Sequence, residues 1–268
     1  MNDREAFARL LEALEPWGDK LVFVGGWAHR LYRMHPMAGA VAYQPLATLD
    51  ADVAFAEREH LEGNIRVRLL EAGFQQVLTG THQPPVSQYT LGEEGNGFYA
   101  EFLTPLVGRE VAGDGTPIAT LEKAGITAQR LRYLELLLRS PWTVTLDADW
   151  GAAAAQDLCI PNPVSFIVQK LLIHDRRPGD KKAQDLLYIH DTLELFAAEL
   201  DTLAALWRDD VRGALHENWI KDLCRVKDTV FGAVNDSIRD AAKIPQDREL
   251  DPERMRAMCF AALGEMLE

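Results

Sequence analysis

Between residues 3 and 14 the apolar positions Phe7, Leu10, Leu11 and Leu14 recur at helical spacing, and Pro16 and Gly18 close the segment. A leading helix is predicted. A short apolar run, LVFV at 21–24, ends on Gly25-Gly26 and opens into WAHRLYRM, where Trp27, Leu31 and Met34 repeat at roughly helical period. That order predicts strand, glycine turn, helix. Residues 35–46 hold two prolines, Gly39 and small side chains, and read as a loop into TLDADVAF at 48–55. In that strand alternation puts Asp50, Asp52 and Ala54 on one face and Ala51, Val53 and Phe55 on the other.

A helix over about 60–72, ended by Gly73, precedes FQQVL, SQYTL and GFYAEFL (97–103). These three are predicted as antiparallel strands, with Pro84, Pro85, Gly92 and Gly95 in the loops between them. On the last, Tyr99, Glu101 and Leu103 share a face. After a polar, glycine-containing stretch from 108 to 117, LRYLELLL (131–138) is an ambiguous apolar run and WTVTL (142–146) a strand. From Pro163 onward apolar residues recur at spacings of three and four to the end of the chain, with no further strand expected. The pattern predicts an α+β protein in two domains: a mixed sheet with helices over 1–158, then a helical domain over 159–268.

Composition narrows the picture. A chain of 268 residues with 47% hydrophobic content is long enough for one large core or two modest ones. No run of eighteen apolar residues occurs, and Asp3, Arg4 and Glu5 lack the basic-then-apolar order of a signal peptide, so a cytoplasmic protein is expected. Cys159, Cys224 and Cys259 are widely spaced, with no C-x-x-C pair, and are expected to be buried thiols. A net charge of −13 opposes nonspecific coating of a polyanion. A local basic cluster stands out against it: Arg176, Arg177, Lys181 and Lys182 within seven residues, preceded by Lys170. It is either a solvated face or an anion site.

Two carboxylates at i and i+2 on a strand repel each other unless cations or protons lie between them. Divalent metal is one answer, since in two-metal transfer the ions clamp the attacking and leaving oxygens, and a third acid from a neighbouring strand completes the set. Glu101 supplies it if 99–103 pairs beside 49–55. Gly25-Gly26, after a strand and opening a helix, offers backbone N–H groups to phosphate, and a Cβ there would hold the anion away. Taken singly, each feature also has a plain reading as solvated strand residues, a tight turn or an exposed face. Their order along the chain is what points to phosphoryl chemistry.

With VGGWAHRL (24–31), TLDADVAF (48–55), EFLTP (101–105) and KAQDLL (182–187) in this order, the sequence resembles the nucleotidyltransferase superfamily that includes DNA polymerase β. It is most similar in kind to minimal bacterial members related to abortive-infection and MenT-like toxins. The resemblance implies a nucleotidyltransferase core sheet whose second, helical domain completes the nucleotide and acceptor cleft. It implies a nucleoside triphosphate substrate, including ATP, and two magnesium ions held by Asp50, Asp52 and Glu101, which are also the catalytic residues. It places Gly25 and Gly26 against the nucleotide phosphates. Lys170, Lys181 or Lys182, and Asp185 resemble a triphosphate-binding group with its orienting acid, although Lys170 also reads as a snorkelling lysine in an apolar helix and Asp185 as a surface ion pair with Lys181 or Lys182. The chain departs from the family in having Gly25-Gly26 where Gly-Ser is common, with Trp27 as the next residue, a longer segment HPMAGAVAYQP before the D-x-D, and Glu as third acid. His29 and His35 read either as substrate contacts or as packing. The acceptor stays open between tRNA, protein and a small antibiotic or metabolite. A toxin with an antitoxin partner, an idle nucleotide-binding partner that keeps the fold, and a helical scaffold are the further readings.

Overall fold

The computed structural model describes residues 2–81, 84–92, 97–109, 111, 118–146, 150 and 155–268. The chain packs as two compact units, Met1–Met34 with Ala47–Pro161, and His35–Leu46 with Asn162–Glu268. The segment expected to be a loop of the sheet domain thus belongs to the helical unit. Gly95 and residues 112–117, expected in loops, lie outside the described residues.

In the first unit α1 (Asp3–Leu14) buries Phe7, Leu10, Leu11 and Leu14 and starts at a capping box, Asn2 and Glu5 each satisfying the other's backbone N–H. Next come β1 (Val22–Val24) and α2 (Gly25–Leu31), whose Trp27 stacks on Phe7 with ring centroids 3.8 Å apart. Then follow β2 (Asp50–Ala54), α3 (Ile65–Glu71), β3 (Gln75–Thr79), β4 (Val86–Leu91), β5 (Phe98–Pro105), β6 (Thr120–Lys123), β7 (Ile126–Leu131), α4 (Leu134–Leu137), β8 (Trp142–Leu146) and β9 (Gln156–Ile160). One mixed sheet runs β3-β4-β5-β2-β1-β9-β8, and β7, carrying β6, pairs with the C-terminal part of β5. The pairs β2 with β5, β1 with β9 and β5 with β7 are parallel. As predicted, β3, β4 and β5 are antiparallel neighbours.

Two parts of this sheet had no clear signal in the sequence. The β6–β7 hairpin turns on Ala124 and Gly125, both at positive φ (49° and 79°), as a two-residue hairpin turn of the primed type requires. Ala124 is an unusual residue for that conformation, and β6 is largely half-exposed, so neither turn chemistry nor alternation announces it. Strand β9 falls where a domain boundary was expected; its place is set by β1 on one side and β8 on the other. The ambiguous run at 131–138 resolves into the end of β7, Tyr133 at positive φ, and the single turn α4.

The second unit comprises α5 (Pro163–Ile173), α6 (Gly179–Leu195), α7 (Leu200–Leu206), α8 (Glu217–Phe231), α9 (Asp236–Lys243) and α10 (Pro252–Met266), with no strand among its described residues. Polar N-caps start several of them: Asn162 for α5, Asn235 for α9 and Asp251 for α10, with proline at the first turn of α5 and α10. Trp207 is buried at the end of α7 and donates its indole N–H to the Leu267 carbonyl, 3.1 Å. Among the described residues no helix is long and apolar enough to cross a membrane. Of the three cysteines expected to be buried, only Cys259 is, and burial pushes its thiol up; Cys159 is half-buried and Cys224 exposed. Cys224 sits on the outer face of the amphipathic α8, where the helical period turns it to solvent.

Candidate active site

Strand β2 alternates as the sequence predicts: Ala51 and Val53 are fully buried, while Asp50 and Asp52 are half-exposed on the opposite face. Its parallel pairing with β5 sets Asp50 opposite Tyr99 and Asp52 opposite Glu101. Registered residues of paired strands point to the same side, so Asp50, Asp52 and Glu101 share one face of the sheet. The antiparallel pairing with β1 places Val24 beside Asp52, and the chain turns at the next residue into α2.

That turn depends on glycine twice over. Gly25 has φ +63°, and a Cβ built there would lie 2.3 Å from Oδ2 of Asp52. The second D-x-D carboxylate is therefore seated directly against the glycine turn. Gly26 is buried in the first turn of α2, which has no side-chain cap at its N-terminus. Trp27, which follows the glycine pair, is core: fully buried, stacked on Phe7 and covered by the Arg30 guanidinium at 4.2 Å. Arg30 in turn pairs with Asp3 at 2.7 Å, locking α1 to α2.

Thr48 donates to Asp50, and Gln88 on β4 donates to Oε1 of Glu101 at 3.0 Å. Among the described residues neither Asp50 nor Glu101 has a cationic partner. The electrostatics follow from this. Burial and then the charge of Asp50 raise the Glu101 carboxyl above its ordinary range, against the pull of the Gln88 hydrogen bond. Burial, together with Asp50, Glu101 and Asp52, pushes the Tyr99 hydroxyl up to about 12. The face is short of positive charge. Its donor set, three half-exposed carboxylates on one face of the interior strands β2 and β5, fits a hard, oxygen-seeking divalent ion better than a soft one.

In the helical unit, Lys170 does not snorkel. It is 4% exposed, and its Nζ lies 2.5 Å from Oδ1 of Asp185 and about equally far, 4.8 and 4.9 Å, from the rings of Phe166 and Tyr188. Asp185, 2% exposed, also accepts from Arg177 Nε at 2.8 Å. Its partners are thus Lys170 and Arg177, in place of the helical neighbours Lys181 and Lys182 expected for a surface pair. Burial pushes the Asp185 carboxyl upward, and Lys170 and Arg177 pull it down further, leaving it below the usual carboxylate range. Lys181 is exposed and reaches only Gln184, at 3.4 Å; Lys182 is half-buried. Arg177 was visible in the sequence as part of the basic cluster, but nothing there singled it out from Arg176.

His29 is fully buried inside α2, and His35 lies in the helical unit against Phe196. A further group carries no signal in the sequence pattern. Among the described residues, His190, Asp191 and Glu194 bring ligand atoms within 4.8 Å of one another. This group is already occupied by protein: Arg248 bonds Asp191 and stacks on Tyr43, Tyr43 donates to Glu194 at 2.8 Å, and Gln44 N–H donates to Asp247 at 2.8 Å. It fastens 35–46 to α6, a structural role.

Comparison with known proteins follows this geometry. No curated protein matches the sequence. Among solved structures the chain is similar to MenT4, a nucleotidyltransferase toxin from Mycobacterium tuberculosis H37Rv, at 15% identity and TM-score 0.36, over 99% of this chain and 92% of that one. The family model described as Nucleotidyltransferase matches residues 2–212, which include the acid face, the glycine turn and the buried Lys170–Asp185 pair. The chain therefore belongs to the nucleotidyltransferase family of enzymes.

Proposed function

We propose that the protein moves a nucleoside monophosphate from a nucleoside triphosphate to an acceptor, releasing pyrophosphate, with two magnesium ions held by Asp50, Asp52 and Glu101. The observation that carries this reading is the β1–β2–β5 register, which gathers the three acids on one face with Gly25 against Asp52. Magnesium bound there would polarise the α-phosphate and offset the charge of the leaving group. The chain's own groups do the rest. Asp50 and Asp52 would hold both ions, and Glu101 would hold one of them and help take the proton of the attacking group. The backbone N–H groups at Gly25 and Gly26 contact the phosphates.

For the helical unit the proposal assigns nucleotide binding to Lys170, Lys181 and Lys182, with Asp185 as the orienting acid and Arg177 added to the group. Lys170 and Arg177 converge on Asp185, which holds two cations at one point. Such a cluster suits the triphosphate of ATP or a related nucleotide in a cytoplasmic enzyme.

The test is incubation of the full chain with each α-labelled nucleoside triphosphate, magnesium and a cell extract. Magnesium-dependent pyrophosphate release with transfer of label is expected, and Asp52→Ala should abolish both while leaving the fold intact. Undiminished transfer by Asp52→Ala would refute the assignment.

A further inference from the structure

The face that carries the acids continues past Glu101. Strand register aligns Val24, Asp52, Glu101, Gln88 and Val77 in one row across the sheet, and Asp50, Tyr99, Thr90 and Gln75 in the next. Gln88, Thr90 and Tyr99 are half-exposed, whereas their strand neighbours Ser87, Tyr89, Leu91, Phe98 and Ala100 are buried on the other side. Outward from Gly25, carboxylates therefore give way to an aromatic ring, an amide and a hydroxyl. Neither row contains a lysine or arginine.

We infer that Tyr99, Gln88 and Thr90 form the acceptor subsite of this enzyme, and that it receives an uncharged, hydroxyl-bearing sugar or polyol. The inference rests on the nucleotidyl transfer proposed above. The two flanks of the acid face are chemically distinct. On the β1 side a glycine backbone abuts Asp52, which suits phosphate. On the β5–β4 side, beyond the acids themselves, neither row carries a cationic side chain to hold a phosphate of the acceptor. A ring beside an amide and a hydroxyl instead offers an apolar surface with fixed donors and acceptors, the recognition chemistry of a neutral polar ligand.

Each group has a defined part. The Tyr99 phenol offers an O–H donor beside an apolar ring. The Gln88 amide nitrogen donates to Glu101 at 3.0 Å, which leaves its carbonyl oxygen as the acceptor for a substrate hydroxyl and ties the subsite to the acid that receives the proton. The Thr90 hydroxyl donates to the Gln75 carbonyl at 3.3 Å, so its lone pairs accept. In the transfer step the acceptor oxygen forms a bond to the α-phosphorus while the bond from that phosphorus to the bridging oxygen breaks. The electron pair leaves with pyrophosphate, and the acceptor proton passes to Glu101 and then to solvent.

The test uses the full-length protein with magnesium, α-labelled nucleoside triphosphates, and either the RNA fraction or the small-molecule fraction of a cell extract. Phosphorus NMR of the labelled product reads the linkage. A phosphodiester to a sugar or polyol oxygen in the small-molecule fraction is expected; label in the RNA fraction alone overturns the uncharged acceptor. With that acceptor, Tyr99→Ala and Gln88→Ala should each raise the acceptor KM about tenfold or more, with the nucleotide KM within about twofold of wild type as the control for folding; Thr90→Val should act in the same direction but less. A phosphoanhydride product, label on protein alone, or unchanged acceptor KM in the Tyr99 and Gln88 variants overturns the subsite and leaves nucleotidyl transfer standing. Absence of pyrophosphate release with every nucleotide and both fractions overturns the transfer reading itself, and the subsite with it.

Discussion

Replacing Asp50 with asparagine should make the metal-free protein more stable while destroying its activity. The substitution keeps shape and leaves an oxygen to accept from Thr48, but removes the charge that, after burial, raises the Glu101 carboxyl. Asp50 and Glu101 are diagonal neighbours on paired strands. For carboxylates about 6 Å apart and an effective dielectric between about 20 and 80, the repulsion is about 1 to 3 kcal/mol. For a protein of this size, that corresponds to a rise in Tm of about 2 to 12 °C. The pH dependence has a definite sign. The Glu101 pKa is higher folded than unfolded, so the folded state binds its proton more tightly. That contribution to stability is complete below the ordinary value of 4.5 and is lost as pH rises through the folded value. The advantage of Asp50→Asn should therefore be absent in acid and appear from pH 4.5 upward. Magnesium should raise the Tm of the wild type substantially and that of the variant little. Thermal melts at several pH values, with and without magnesium, decide the matter. A variant less stable than wild type at pH 8 without metal, or magnesium stabilising both proteins equally, would refute the reasoning.

Three further outcomes are expected. Gly25→Ala forces a residue with a Cβ to φ +63° and into the Asp52 carboxylate at 2.3 Å, at a cost of about 1 to 3 kcal/mol in backbone strain alone; urea melts should show this loss, and transfer should fall with it because Asp52 is displaced. Lys170→Met leaves buried Asp185 with Arg177 as its remaining cation and should destabilise by roughly 3 kcal/mol, whereas the double change with Asp185→Leu should recover most of the stability in chemical denaturation but none of the nucleotide affinity. Arg248→Ala removes the guanidinium that bonds Asp191 and stacks on Tyr43, so limited proteolysis should cut within 35–46 sooner than in wild type.

The two halves of the protein were legible to different depths. Helix α1 and the strands β2, β4, β5 and β8 follow from local period, because one face of each must be buried and the side-chain pattern records which. The pairing of Asp50 and Asp52 on a common face, and the apolar helices after Pro163, follow in the same way. Elements that bury little of one face leave no such record. The β6–β7 hairpin and β9 exist because partner strands satisfy their backbone groups.

What the sequence by itself determined was therefore the face on which each acid lies and the need for a glycine after β1. It could not determine register, because pairing between β2 and β5 joins segments far apart in the chain and a slip of one residue would turn Glu101 to the buried side. Tertiary structure alone decided that Asp52 sits beside Glu101 and against Gly25, that Tyr99, Gln88 and Thr90 extend the same face, and that Asp185 takes Lys170 and Arg177 as its partners. Each of these is a contact between distant segments, chosen by the burial of whole sheet and helix surfaces rather than by the residues that meet.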